Sequence, residues 1–309
     1  RSMGLGFVYH AVENQTVRDN VRSLVERMVD TLIERGFLYI DPEGVPNGTD
    51  LDAGLWLVGT NGIWTLAYLK VAATVNPEKY GDMYREYSVE RDYLHRGNFP
   101  DAGRLSQVQG YYGLLLDWEL LFILLVLEED VAFRQIYHNY NDHMFSYTKY
   151  DRNALFTTMW LVANNYSRHN TPEDQVYVED VEDCLMRYYS APQRLPGRNV
   201  DLIQPELEYQ VGKKWRDFFQ EGAGAKLYPY WKSVFEFEDI AKKPLTPDKR
   251  PQTDFLWSRP PYWYTSKDQN GLWEGPGVDY TVVYWLGRMY DVIAPPENFN
   301  EPIEVEYGA

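Results

Sequence analysis

Helices free of charge alternate with helices that carry charge along one face, and few folds satisfy that pattern. The segments Leu55–Val75, Tyr111–Leu127, Asn153–Asn165 and Val278–Ile293 are apolar or aromatic nearly all round. The intervening segments Thr16–Arg35, Pro77–Arg96, Asp130–Tyr147 and Glu173–Tyr189 are charged on one side. A helix that is apolar on every side must be enclosed, whereas an amphipathic one covers it and meets water. Repeating the pair predicts an all-α fold with two concentric helical layers, an (α/α) toroid of helical hairpins. The units recur roughly every 45–55 residues, a helical-hairpin period.

Local signals set the element ends. In Thr16–Arg35, Val17, Val21, Leu24, Val25, Met28, Val29 and Leu32 fall at helical spacing, and Gly36 stops the helix. Asn76 and Pro77 read as cap and first turn of the next outer helix. After Ala191 the pattern gives way to proline-rich loops over Pro192–Trp273, with some helix expected within Leu202–Phe219. Long loops in a domain are more often functional than incidental. No flexible linker divides the chain, so residues 1–309 read as one domain. The uncapped apolar run Gly4–Val12 reads as the continuation of an element that begins upstream, so a further N-terminal segment is expected.

Composition narrows the function classes. Net charge is −16, which works against nucleic-acid or anionic-membrane partners, because phosphate contacts need clustered Lys and Arg. The most hydrophobic stretch, Leu114–Leu127, is short and contains Asp117 and Glu119, so no membrane span is expected. A single cysteine, Cys184, excludes an intrachain disulfide and a cysteine-based zinc site. His138 and His143 are five apart, off the spacing that puts two ligands on one helical face, and no metal site is expected. No phosphate-cradling glycine loop, dinucleotide fingerprint or nucleophile elbow is present, so no cofactor is expected. Aromatic residues make up 16 % of the chain, with 26 Tyr and 10 Trp, side chains suited either to a wet cleft or to wide inter-helix gaps.

In a toroid the N-terminal ends of the inner helices ring one mouth. Asp50 and Asp52 precede the first, Tyr111 and Tyr112 open the second, Asp151, Arg152 and Asn153 precede the third, and Trp273, Glu274, Asp279 and Tyr280 surround the last. Asp117 and Glu119 stand out within an apolar helix, where a carboxylate is costly unless paired or protonated. Two residues apart, they point to opposed sides and cannot form a dyad. Asp279 falls in the first turn of the closing helix, where a carboxylate either caps or serves the mouth. Glu274 lies in a turn built from Gly275, Pro276 and Gly277. The loop 254–264, with Arg259, Tyr262, Trp263 and Tyr264, offers flat rings for a pyranose face and an Arg for a hydroxyl or carboxylate. The same rings could instead pin the loop to the helices.

The alternation, together with Glu274–Tyr280, Tyr284–Tyr290 and Asp254–Arg259, resembles the six-hairpin, α/α-toroid proteins, which include bacterial glycoside hydrolases and polysaccharide lyases. That resemblance implies an oligo- or polysaccharide partner at the mouth. It carries over no catalytic motif, so the roles that follow are physical expectations. A glycoside hydrolase would use Glu274 or Asp117 as proton donor and Asp279 or Asp52 as second carboxylate. Tyr111, Trp263, Trp273 and Tyr280 would line the subsites. A polysaccharide lyase with a Tyr base and Arg259, and a non-catalytic glycan-binding or structural toroid, are the alternatives.

Overall fold

The computed structural model describes residues 2–52, 59–96, 111–166, 174–188, 202–203, 240–241, 244–250, 255–258, 261 and 277–295. Those residues are predominantly helical. In chain order the helices are α1 (Ser2–Ala11), α2 (Gln15–Glu34), α3 (Gly59–Val75), α4 (Pro77–Arg85), α5 (Tyr93–Arg96), α6 (Tyr111–Leu127), α7 (Val131–Thr148), α8 (Ala154–Ala163), α9 (Gln175–Met186) and α10 (Val278–Met289). Two short antiparallel strand pairs accompany them: Leu38–Ile40 with Pro46–Asp50, and Leu202–Ile203 with Ile240–Ala241.

Side-chain caps start the helices where the sequence places them. Asn14 accepts from the Val17 N–H, Asn76 from Lys79, Asp130 from Ala132 and Phe133, and Asn153 from Phe156. Each cap satisfies donors that the first turn leaves without intrahelical partners, and such caps contribute roughly 0.5–2 kcal/mol. At the end of α2, Gly36 and Phe37 both take left-handed backbone, and the Phe37 N–H reaches back to the Leu32 carbonyl. That contact closes the helix with a Schellman-type turn.

Burial separates enclosed helices from amphipathic ones. Every residue of α8 except Trp160 is buried, and in α6 Trp118, Leu120, Leu121 and Leu124 are all fully enclosed. By contrast α2 buries the single stripe Val21, Val25, Val29 and Leu32, and α9 buries Val178, Val181, Cys184 and Leu185. Helix α6 is the common neighbour, packed against α1, α3, α7, α8 and the turn Leu256–Ser258. Its Tyr111 and Trp118 rings both stack on Phe156 of α8, with centroids 5.4 Å away in each case. At the other end Gly6 of α1 fits where a Cβ would meet Val71 at 2.7 Å and Leu127 at 3.2 Å. Only glycine lets α1 sit this close to α3 and α6.

Two elements differ from the sequence expectation. The outer segment 77–96 is not one helix: α4 passes into a π turn, Glu86–Glu90, and Asp92 in left-handed backbone precedes α5. The Ser88 hydroxyl donates to the Tyr84 carbonyl 2.7 Å away, a side-chain bond that competes with the helical ladder. The second difference is α10, which ends at Met289 and buries only Asp279, Val283 and Gly287. Trp285 stays 62 % exposed, so this apolar helix is covered on one face rather than all round.

A buried ion pair ties the C-terminal end of α6 to its neighbours. Glu128 accepts from Lys70 Nζ at 2.8 Å, from the Tyr84 hydroxyl at 2.5 Å and from the backbone N–H groups of Glu129 and Asp130. Tyr137 completes the cluster, 3.0 Å from the Tyr84 hydroxyl. Removing one partner of a buried pair leaves the other uncompensated. Lys70→Met is therefore expected to lower unfolding free energy by about 3–5 kcal/mol in urea titrations. The double variant Lys70→Met/Glu128→Gln should recover part of that loss, and no recovery would contradict the pairing.

Candidate functional site

The N-terminal ends of α6, α8 and α10 meet in one buried polar cluster. The Tyr111 hydroxyl donates to Asp151 at 3.0 Å. The amide of Asn153, besides capping α8, donates to the Tyr111 oxygen at 3.4 Å and to the Trp257 carbonyl at 3.0 Å. Trp257 Nε1 donates to the Asp279 carbonyl at 2.7 Å, and the Leu256 N–H to the Asp279 carboxylate at 2.8 Å. Tyr188, at the end of α9, also hydrogen-bonds that carboxylate. Asp279 therefore fastens the turn 256–258 and α9 to the first turn of α10. Burial pushes its carboxyl above the ordinary range, and those hydrogen bonds pull part of the way back.

Arg250 is the cation of this cluster. Its Nε donates to the Leu245 carbonyl at 2.8 Å, and Nη2 to the carbonyls of Asp151 and Arg152 at 3.1 and 2.7 Å. Its guanidinium lies 5.8 Å from the Trp257 ring centre. Arg152, in left-handed backbone, turns its own side chain outward to Asp180 and Asp183. Burial pushes the Asp180 carboxyl up. At Asp183 burial acts the same way, but Arg187 and Arg152 outweigh it and hold that carboxyl low. Cys184 is fully buried beside them, and burial raises its thiol to about 11, so it stays protonated at neutral pH.

The sequence-derived candidates fall into different environments. Tyr111 and Asp279 lie in the cluster just described. Tyr280 flanks it, its ring stacked on Tyr284 with centres 5.8 Å apart and tilted against Tyr188 at 5.7 Å. Asp52 is held elsewhere, by the Tyr93 hydroxyl and by Arg91 at 3.3 Å, on the α5 side of α3. Asp117 is enclosed, 2 % exposed, and its charge acts on the buried Tyr140 of α7. Glu119 is only partly buried, and burial raises its carboxyl above the ordinary range. Glu274, Arg259, Trp263 and Trp273 lie outside the described residues. Asp142, between His138 and His143, accepts from Trp160 Nε1 at 2.9 Å. Among the described residues no group of three or more His, Cys, Asp or Glu side chains is placed to hold a metal ion, and no helix is long and apolar enough to cross a membrane.

Sequence reasoning did not anticipate Arg250 or the pairing of Lys70 with Glu128. Arg250 sits in a Pro-Asp-Lys-Arg-Pro run that reads as an exposed loop, and Glu128 adjoins two further acids that read as a cap. Both depend on contacts between residues 58 or more positions apart.

Comparison with protein-family models, with curated proteins and with solved structures finds no match to this chain.

Two measurements test the geometry. Asp279→Ala removes the acceptor of a buried N–H and is expected to cost about 1–3 kcal/mol in chemical denaturation. An unchanged midpoint would contradict the clamp. For Glu119, a folded-state pKa above the unfolded one means the native state holds its proton longer, so stability falls as pH rises between the two values. Wild type and Glu119→Gln should melt together at strongly acidic pH, with the variant the more stable at neutral pH.

Proposed function

We propose that this chain is an (α/α)-toroid enzyme that acts on carbohydrate, a glycoside hydrolase working at the end where α6, α8 and α10 begin. The observation carrying this reading is the gathering of polar side chains from three helix starts at that one end, flanked by the stacked rings of Tyr280 and Tyr284 and the tilted ring of Tyr188. Aromatic faces beside carboxyl groups match the needs of a sugar site: stacking surface, hydrogen-bond donors and a proton source. In this reading Glu274 is the proton donor and Asp279 the second carboxylate.

The lyase alternative fits less well. It needs a tyrosine that gives up its proton readily, and burial pushes the phenols of Tyr111 and Tyr188 well up. A non-catalytic glycan-binding toroid has one specific observation in its favour, since Asp279 and Asp52 both spend their carboxylates on internal contacts.

A panel of oligosaccharides and polysaccharides separates these readings. The hydrolase reading expects reducing ends to appear with no new double-bond absorbance, and Glu274→Gln to cut turnover at least about 100-fold. Binding without turnover would instead favour the non-catalytic toroid, and absorbance from an unsaturated product would favour the lyase.

A further inference from the structure

We propose that Arg250 and the first turn of α8 form a site for a small inorganic anion, a halide such as chloride, enclosed in the polar cluster where α6 and α8 begin. The site needs no glycan and stands apart from the hydrolase reading. The guanidinium is its starting point. Arg250 is only 5 % exposed, and its Nη1 is enclosed with no hydrogen-bond acceptor among the described residues. Nε and Nη2 take three main-chain carbonyls, which are neutral, and among the described residues no carboxylate forms an ion pair with this side chain. A buried charge is ordinarily paired, and a buried donor without an acceptor loses the hydrogen bonds it made in water. The N–H bonds of Nη1 therefore call for an acceptor, and a negatively charged one offsets the guanidinium as well.

Placement supplies further donors. Nη2 holds the carbonyls of Asp151 and Arg152 at 3.1 and 2.7 Å, the two residues just ahead of the Asn153 cap. Nη1 belongs to the same planar fork, so it lies beside the chain that enters α8. Within that first turn, Asn153 Oδ1 accepts from the Phe156 N–H, and the Thr157 N–H donates to the Asn153 carbonyl. The N–H groups of Ala154 and Leu155 have no intrahelical partner at these positions, and both residues are buried. Such N–H groups carry the positive end of the helix dipole and favour an anion.

The surrounding charges decide between an anion and a water. Tyr111, Cys184, Asp151 and Arg152 are the titratable groups that act on Arg250. Burial raises the Tyr111 phenol and the Cys184 thiol, so both are neutral at neutral pH. Asp151 accepts from the Tyr111 hydroxyl at 3.0 Å, and Arg152 turns to Asp180 and Asp183. Nη1 and the N–H groups of Ala154 and Leu155 are all donors. A buried water must donate as well as accept, whereas an anion only accepts, so a set of donors suits the anion better. Enclosure favours a single atom over a phosphate with its four oxygens.

The test uses the full chain, purified in sodium chloride or in sodium methanesulfonate at equal ionic strength. The melting midpoint is expected to climb with chloride, by about 5 °C once chloride exceeds its dissociation constant about 100-fold, and to stay level in the bulkier methanesulfonate. Arg250→Lys keeps the charge and lacks the fork, so it should lose the chloride dependence. Crystals of the wild type grown in sodium bromide provide a check that needs no variant: an anomalous peak is expected at hydrogen-bond distance from Arg250 Nη1. Midpoints that match in the two salts, a chloride dependence that persists in Arg250→Lys, or a water at Nη1 with no anomalous signal would each overturn the anion site.

Discussion

Enclosure of α6 is the constraint on which the rest of the molecule depends. Its 17 residues are apolar on nearly every side, and a fully buried Leu or Phe is worth about 1.5–3 kcal/mol over an exposed one. That gain is available only if α1, α3, α7 and α8 surround it, so the neighbours are placed by the need to cover one helix. A helix covered in this way has few positions left for polar groups. Tyr111 takes one end and joins Asp151 and Asn153, while Glu128 follows the other end and joins Lys70, Tyr84 and Tyr137. Both clusters are largely buried polar networks, and each ties a helix end to its neighbours.

How much of this was legible in the sequence depends on the range of the interaction. Caps are local, and Asn76 and Gly36 do what their positions predict. Burial pattern follows from periodicity, so the enclosed α6 and α8 differ from the one-sided α2 and α9 as expected. Asp117 and Glu119 were legible as anomalies, and their spacing already sent them to opposite sides. Which of the two stays in reach of solvent was not legible, because that depends on what α7 on one side and α1 on the other bring against them. Arg250 was invisible for the same reason: its acceptors are main-chain carbonyls nearly a hundred residues earlier, and carbonyls leave no mark in a sequence. The break at Glu86–Glu90 came from a serine reaching back to a carbonyl, a choice that helical periodicity does not encode.

The acids of the inner layer separate according to the donors around them. Asp279 meets a backbone N–H and a phenol, so it serves as a clamp. Asp52 meets Tyr93 and Arg91 on the α5 side of α3. Glu119 has partial access to water, and burial raises its carboxyl above the ordinary range. A carboxyl that is tied down stabilises the fold and is poor at proton transfer, because moving its proton breaks the contacts that hold it.

The cations complete this argument. Lys70, Arg152 and Arg250 are each spent on internal contacts, with Glu128, with Asp180 and Asp183, and with three main-chain carbonyls. A chain of net charge −16 that uses these basic groups for its own cohesion keeps its acids in excess at the surface. Such a field repels polyanions over about a Debye length, roughly 8 Å at physiological salt, and leaves neutral sugars unaffected. The same charge balance that leaves acids in excess thus also biases the kind of ligand that can approach, against polyanions.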